Sequence, residues 1–184
     1  MPSSFTGLVS SLYSASKGIR MDRQLELLQE IEIKKDIVYT PKDVALGIIN
    51  WLEPSGICLD PCKGDGAFYE LLPNADWCEL KEGRDFYEYE REVDWIIGNP
   101  PYSKFEKWLE HSFEIAHEVA YILPTNKVFQ RQLIMGMINN WGGIKGMMVY
   151  GSGSIIGFPF GFSVGTFYFS KGYKGKTELI LGKQ

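Results

Sequence analysis

The chain has 184 residues, 45% of them hydrophobic, and a formal net charge of −4. That length and composition suit one domain with a proper core, and no apolar run reaches the roughly 18 residues that a transmembrane helix needs. The negative balance argues against a protein that coats nucleic acid nonspecifically, and the Ser-rich start, with its basic residues late, fits a signal peptide poorly; a cytoplasmic protein is expected.

Residues 1–36 read as a peripheral N-terminal segment, with one helix over 20–35 where Leu25, Leu28 and Ile31 recur at helical spacing. Residues 37–184 read as one catalytic domain. In Tyr39-Thr40-Pro41, Thr40 is a capping residue with Pro41 at the first helical position, and Val44, Ile48, Ile49 and Leu52 follow at helical spacing. That helix should end near Glu53-Pro54-Ser55-Gly56. Beyond it, short apolar strands are predicted at 57–59, 76–78, 93–98 and 118–123, separated by helices at 66–72 and 105–116 and followed by a helix at 130–141. Apolar strands alternating with helices predict an α/β fold, a mostly parallel twisted sheet covered on both faces. Residues 143–150, 162–169 and 177–181 read as strands divided by Gly- and Lys-rich turns, which predicts an antiparallel end to that sheet.

The chemistry concentrates at strand ends. Asp60-Pro61-Cys62-Lys63-Gly64-Asp65-Gly66 lies after the first strand, where glycines let a ligand approach the backbone and an acid can bind its polar groups. Glu79 stands 19 residues past Asp60, at the end of the second strand, and suits ribose hydroxyls in an adjacent crevice. Asp85-Phe86 can flank an adenine, carboxylate toward its amino group and phenyl against its plane. A phosphate loop ending in Gly-Lys-Ser/Thr is absent, and an acid at the first strand end repels pyrophosphate but welcomes a cationic amino group. The cofactor expected is a nucleoside joined to an amino acid, S-adenosyl-L-methionine.

Asn99-Pro100-Pro101-Tyr102 follows the third strand. Asn99 offers a side-chain carbonyl and the prolines lack N–H donors, so acceptors dominate there and can orient an exocyclic amino group, while Tyr102 offers a stacking face. The plainer alternative is that the prolines turn the chain and Tyr102 packs on the core. Cys58, Cys62 and Cys78 lack a fourth thiol, and His111 and His117 lie far downstream, so free thiols are expected and no metal site.

These elements, in this order from about Tyr39 to Lys171, resemble the S-adenosylmethionine-dependent DNA adenine-N6 methyltransferases. The resemblance implies a Rossmann-like class I methyltransferase fold with an antiparallel C-terminal hairpin. It also implies a cofactor site at Tyr39, Thr40, Pro41, Asp60, Pro61, Gly64, Gly66, Glu79, Asp85, Phe86 and Asn99, and catalysis by Asn99, Pro100 and Tyr102. Phe160 and Phe162 correspond loosely to a late aromatic segment near the target base. The resemblance further implies that the target adenine leaves its stack, that the Asn99 side chain and Pro100 carbonyl accept its amino hydrogens, and that methyl transfer acidifies the nitrogen so that no strong base is needed.

Family members that read DNA sequence usually carry an added target-recognition domain, and only about a dozen residues follow Lys171. Sequence choice then falls to short loops or to a partner chain, a specificity subunit or a homodimer, or it is weak. From Asn126 onward seven basic residues face Glu178 alone, against twelve basic and twenty-two acidic residues before it, so Lys171, Lys174 and Lys176 are candidates for DNA phosphates or are ordinary solvated surface. Two other functions compete: methylation of an RNA base or a protein glutamine amide, and a non-catalytic subunit that keeps the fold.

Overall fold

In a computed structural model of the chain the described residues are 38–182. The helix expected over 20–35 lies outside them. The elements are α1 (Lys42–Leu52), β1 (Cys58–Asp60), β2 (Ala75–Trp77), β3 (Val93–Gly98), α2 (Phe105–Ile115), β4 (Ala116–Pro124), α3 (Thr125–Phe129), α4 (Gln132–Trp141), β5 (Gly142–Ser152), β6 (Ser163–Lys171) and β7 (Glu178–Leu181). All seven strands join one sheet in the order β2-β1-β3-β4-β6-β5-β7.

Strand periodicity builds the two-sided core. Along β4, Val119, Tyr121 and Leu123 enter one hydrophobic cluster with Leu109 and Phe113 of α2 and Ile134 and Ile138 of α4. The alternate residues, Ala120 and Ile122, enter a second cluster with Ala45 and Ile48 of α1. Ile96 and Ile97 of β3 divide between the same two clusters, as a period of two requires. The one buried polar pair in this stretch of β4 and α2 is satisfied: the Ser112 hydroxyl donates to the Trp108 carbonyl at 2.6 Å and shares a hydrogen bond of 2.7 Å with the Tyr121 hydroxyl.

The strands β2, β1, β3 and β4 pair in parallel, while β6 pairs antiparallel with both β4 and β5. The expected antiparallel end is therefore present as the β5–β6 pair. The last strand differs: β7 runs parallel to β5, on the side away from β6. The short 172–177 connection crosses the start of β5, and the Lys174 ammonium donates to the Asn139 and Gly142 carbonyls there.

Three local expectations are corrected. Pro41, not Thr40, occupies the N-cap of α1, and the Thr40 hydroxyl makes no capping hydrogen bond. Residues 66–72 form successive turns instead of a helix, because the Tyr69 N–H donates to the Asp60 carboxylate at 3.1 Å and so leaves the helical ladder. The helix expected over 130–141 begins two residues later, at Gln132, because Arg131 is extended (φ −115°, ψ 121°), and α3, which the sequence reading did not predict, precedes it over Thr125–Phe129.

The edge strand β2 is three residues long and is guarded by charge. Trp77 lies between the Lys63 ammonium, 3.8 Å from a ring centre, and the Arg84 guanidinium at 4.1 Å, and Arg84 also pairs with Asp76 at 2.5 Å. Cations over the half-buried indole put charge at this edge of the sheet.

Leu109 is fully buried whereas Leu181 is 79% exposed. Leu109→Ala is expected to lower the unfolding free energy by about 2–5 kcal/mol and Leu181→Ala by less than about 0.5 kcal/mol. Urea midpoints of the two variants check this ranking, and equal shifts would contradict the assignment of the core.

Candidate active site

The sheet reverses its winding between β1 and β3: the chain moves from β1 outward to β2, then returns to place β3 on the other side of β1. In open α/β sheets the loops leaving such a pair diverge and open a crevice at the carboxyl ends. Asp60 ends β1 and Gly98 ends β3, so the two motifs read from the sequence meet there.

Asp60 shapes the first loop from inside. It is 1% exposed, and its carboxylate accepts the Cys62 N–H at 3.2 Å and the Tyr69 N–H at 3.1 Å. Burial pushes its carboxyl up to about 7; those two donors pull against the shift, the Glu79 charge adds to it and Lys63 opposes it. A carboxylate so enclosed organises backbone and does not stand open to a cationic ligand group. Glu79 clamps the same loop from β2, accepting the Gly64 N–H at 3.0 Å through one oxygen and the Lys81 N–H at 3.2 Å through the other. Gly64 adopts φ +54°, and a side chain there would start 3.2 Å from the Tyr39 ring. This bare backbone under an aromatic ring is a cradle that a Cβ would fill.

The reversal after Glu79 is tight, with Glu79 and Arg84 bridged, and it brings Asp85 near Cys78. Asp85 accepts the Tyr87 N–H at 3.0 Å. Phe86 is a core residue, its ring stacked on Trp108 at 4.7 Å and edge-on to His111 at 4.8 Å.

On the β3 side, the Asn99 amide donates to the Val38 carbonyl at 2.8 Å. This fixes which end of the amide faces which way: the Oδ1 oxygen is buried and accepts no hydrogen bond from the described residues. The Thr40 hydroxyl is a second buried polar atom without such a partner. Both groups lie in the segments that meet at the crevice and have no partner among the described residues, so each can take a hydrogen bond from a ligand there. The Cys62 thiol donates to the Asn99 carbonyl at 3.1 Å and is kept neutral because burial pushes it well above the usual thiol range. Residues 38–41 thus touch both motifs, and Pro41 also reaches the backbone at Gly157, beside the late aromatic segment.

Tyr102 is 8% exposed and meets Phe160 edge-on at 6.1 Å, and Phe160 stacks on Phe162 at 3.9 Å. The loosely placed aromatic segment therefore stands beside the Asn99-Pro100-Pro101-Tyr102 turn. Lys171, Lys174 and Lys176 do not. Lys171 pairs with Gly142, one residue beyond the Ser170–Glu118 pair, at the opposite end of β4 from Pro124. Sequence reasoning missed Val38, whose contribution is a backbone carbonyl, and the Cys62 thiol, which sits inside the first motif but acts on the second.

No family model and no curated protein matches the sequence. The fold has solved counterparts. A Listeria monocytogenes protein assigned as a class I S-adenosylmethionine-dependent methyltransferase is similar at 14% identity and a TM-score of 0.58, over 91% of this chain and 73% of that one. A Pyrococcus horikoshii protein assigned as an RNA methyltransferase is 18% identical with a TM-score of 0.53, over 71% and 82%. A modification subunit assigned to a type I restriction enzyme of Vibrio vulnificus is 14% identical with a TM-score of 0.59, over 85% of this chain and 49% of the subunit. The chain thus spans about half the length of that subunit. The fold is that of the class I methyltransferases.

Between the ordinary carboxylate range and about pH 7 the folded chain holds a proton on Asp60 that the unfolded chain releases, so this group lowers stability as pH rises through that window. Asp60→Asn is expected to lose that slope, and to be less stable at low pH because one backbone N–H loses its acceptor. Urea unfolding of both chains from about pH 4 to about pH 7 checks this. An unchanged slope in the variant would remove Asp60 from the titration.

Proposed function

We propose that the chain is a DNA adenine-N6 methyltransferase that uses S-adenosyl-L-methionine. The observation that carries the reading is the Asn99 amide, held at the carboxyl end of β3 with its nitrogen donating to Val38 and its oxygen buried without a hydrogen-bond partner among the described residues.

The residues present fit the cofactor. Gly64 and the Tyr39 ring form the backbone cradle, Glu79 is a carboxylate at its rim, and the unpartnered Thr40 hydroxyl lies in the segment that covers it. Asp60 holds the loop's shape through its two backbone donors, while Asp85 caps the turn at Phe86, whose ring is buried in the core against Trp108 and not presented to a ligand. When bound, the cofactor supplies an electrophilic methyl group.

This chain's own residues then position the acceptor. Asn99 Oδ1 accepts one hydrogen of the exocyclic amino group and the Pro100 carbonyl the other, which aims the nitrogen lone pair and stabilises the positive charge that grows on it. The fixed amide matters: an Asn free to rotate would present donor and acceptor ends alternately, whereas the Val38 carbonyl accepts from only one of them. Tyr102 and Phe160 supply the aromatic wall for the base, a contact worth about 1–3 kcal/mol. The same wall and amide also suit a base in RNA, the substrate class of the Pyrococcus horikoshii protein's assignment.

Glu79→Ala is expected to weaken S-adenosylmethionine binding markedly in calorimetry, since the rim carboxylate and the clamp on Gly64 go together. Unchanged affinity would take Glu79 out of the site. Asn99→Ala is expected to leave cofactor affinity nearly intact while lowering methyl transfer to DNA by about a hundredfold or more. Normal turnover with lowered cofactor affinity would contradict the role given to Asn99.

A further inference from the structure

Tyr102 belongs to two surfaces. On one side it meets Phe160, and beyond that lies Phe162, stacked on Phe160 and 47% exposed. On the other side opens a cleft of about 170 Å³ between the start of α2 and the α3–α4 junction. Asn126, Lys127, Gln130, Arg131 and the Glu106 carboxylate line it beside Tyr102, with Phe105 and Ile134 on its apolar part.

We infer that this cleft seats the sugar-phosphate backbone of the strand carrying the target base, a nucleotide or so from the base itself. The inference rests on the methyltransferase reading given above and names where its polynucleotide lies. The chemistry of the lining selects the ligand. The amide, ammonium and guanidinium donors of Asn126, Gln130, Lys127 and Arg131 suit phosphate and sugar oxygens better than an apolar small molecule.

Lys127 makes no ion pair among the described residues, so its charge is uncommitted. Arg131 pairs with Glu106 at 3.0 Å, but the arginine side chain is 69% exposed. A pair so solvated is worth about 0–1 kcal/mol and yields readily to a phosphate. The break between α3 and α4 is what brings Arg131 here, since the extended residue ends one helix and begins the next. Exposed stacking rings on one side of Tyr102 and phosphate donors on the other match a polynucleotide crossing the mouth of the site, and a protein glutamine offers neither partner.

The competing location is the Lys171, Lys174 and Lys176 group. Lys174 is spent on the carbonyls at the end of α4 and the start of β5, and the group stands at the far end of the sheet. The basic charge after Asn126 thus divides in space into a cluster beside Tyr102 and one remote from it.

The test is anisotropy of a short fluorescein-labelled DNA oligonucleotide titrated with the full chain at several salt concentrations, with methyl transfer to the same oligonucleotide measured in parallel. Lys127→Ala and Arg131→Ala are each expected to weaken binding and to lower the slope of log affinity against log salt by about one, with about two for the double variant. Glu106→Gln is expected to tighten binding by freeing Arg131. Lys127→Arg should keep the slope, and Lys171→Ala with Lys176→Ala should leave it unchanged.

If the wild-type chain methylates DNA but the cleft variants bind with an unaltered slope, the cleft assignment is overturned and the methyltransferase reading stands. A slope lost instead on removing Lys171 and Lys176 overturns it in favour of the far end. Failure of the wild-type chain both to bind and to methylate DNA overturns the substrate reading and the cleft together.

Discussion

A methyl group at position 98 would lie 3.0 Å from Pro61 Cδ and 3.3 Å from Asp60 Oδ1. Gly98 is the last residue of β3, and its missing side chain is the space that lets the loop after β1 lie directly on the turn after β3. Everything at the carboxyl edge depends on that closeness. It brings the Cys62 thiol to the Asn99 carbonyl, and it buries Asp60, so that a strand-end acid becomes a scaffold for two backbone amides. The segment 38–41 then spans both loops, through Tyr39 on Gly64 and through the Val38 carbonyl on Asn99. Cofactor cradle and acceptor amide are held by the same few atoms, so a shift in one loop moves the other.

Much of this was legible in the sequence where a local rule had no rival. The strand 93–98 agrees residue for residue with β3, and the helix expected over 105–116 ends at Ile115, because apolar periodicity and burial point the same way. The expectations that failed did so where a side chain from elsewhere took a backbone donor or where topology overrode a short pattern. Residues 66–72 have helical spacing, but Asp60, nine positions away from Tyr69, takes the N–H that the helix needed. Thr40 has capping chemistry one residue too early, next to a proline that occupies the cap position itself. The direction of β7 follows from the 172–177 connection, which crosses the start of β5 to its free side, and no pattern within four residues encodes that.

The site shows the same division. That Asp60, Glu79 and Asn99 lie at one edge could be read because each stands at or just beyond a strand end, Gly64 follows Asp60 in the same loop, and the parallel sheet carries strand ends to one edge. The Val38 carbonyl was not readable, since a backbone acceptor has no residue type to betray it. Gly98 did leave a signal, a glycine closing an apolar strand just before a polar turn. Charge was the least transferable quantity. Basic residues that follow Asn126 in one run of the chain separate in space, because β6 runs back along β4 and carries Lys171 to the opposite end from Lys127.

The central claim is that the geometry around Asn99 transfers a methyl group to an adenine amino nitrogen in DNA. The direct measurement is incubation of the chain with methyl-labelled S-adenosylmethionine and, in parallel, duplex DNA, single-stranded DNA, RNA and a protein extract, followed by separation of the modified nucleosides and amino acids. Label in N6-methyladenine from DNA, lost in the Asn99→Ala variant, is the result expected. Label confined to an RNA base or to glutamine would contradict the substrate while keeping the chemistry, and label in none of the four would contradict the claim itself.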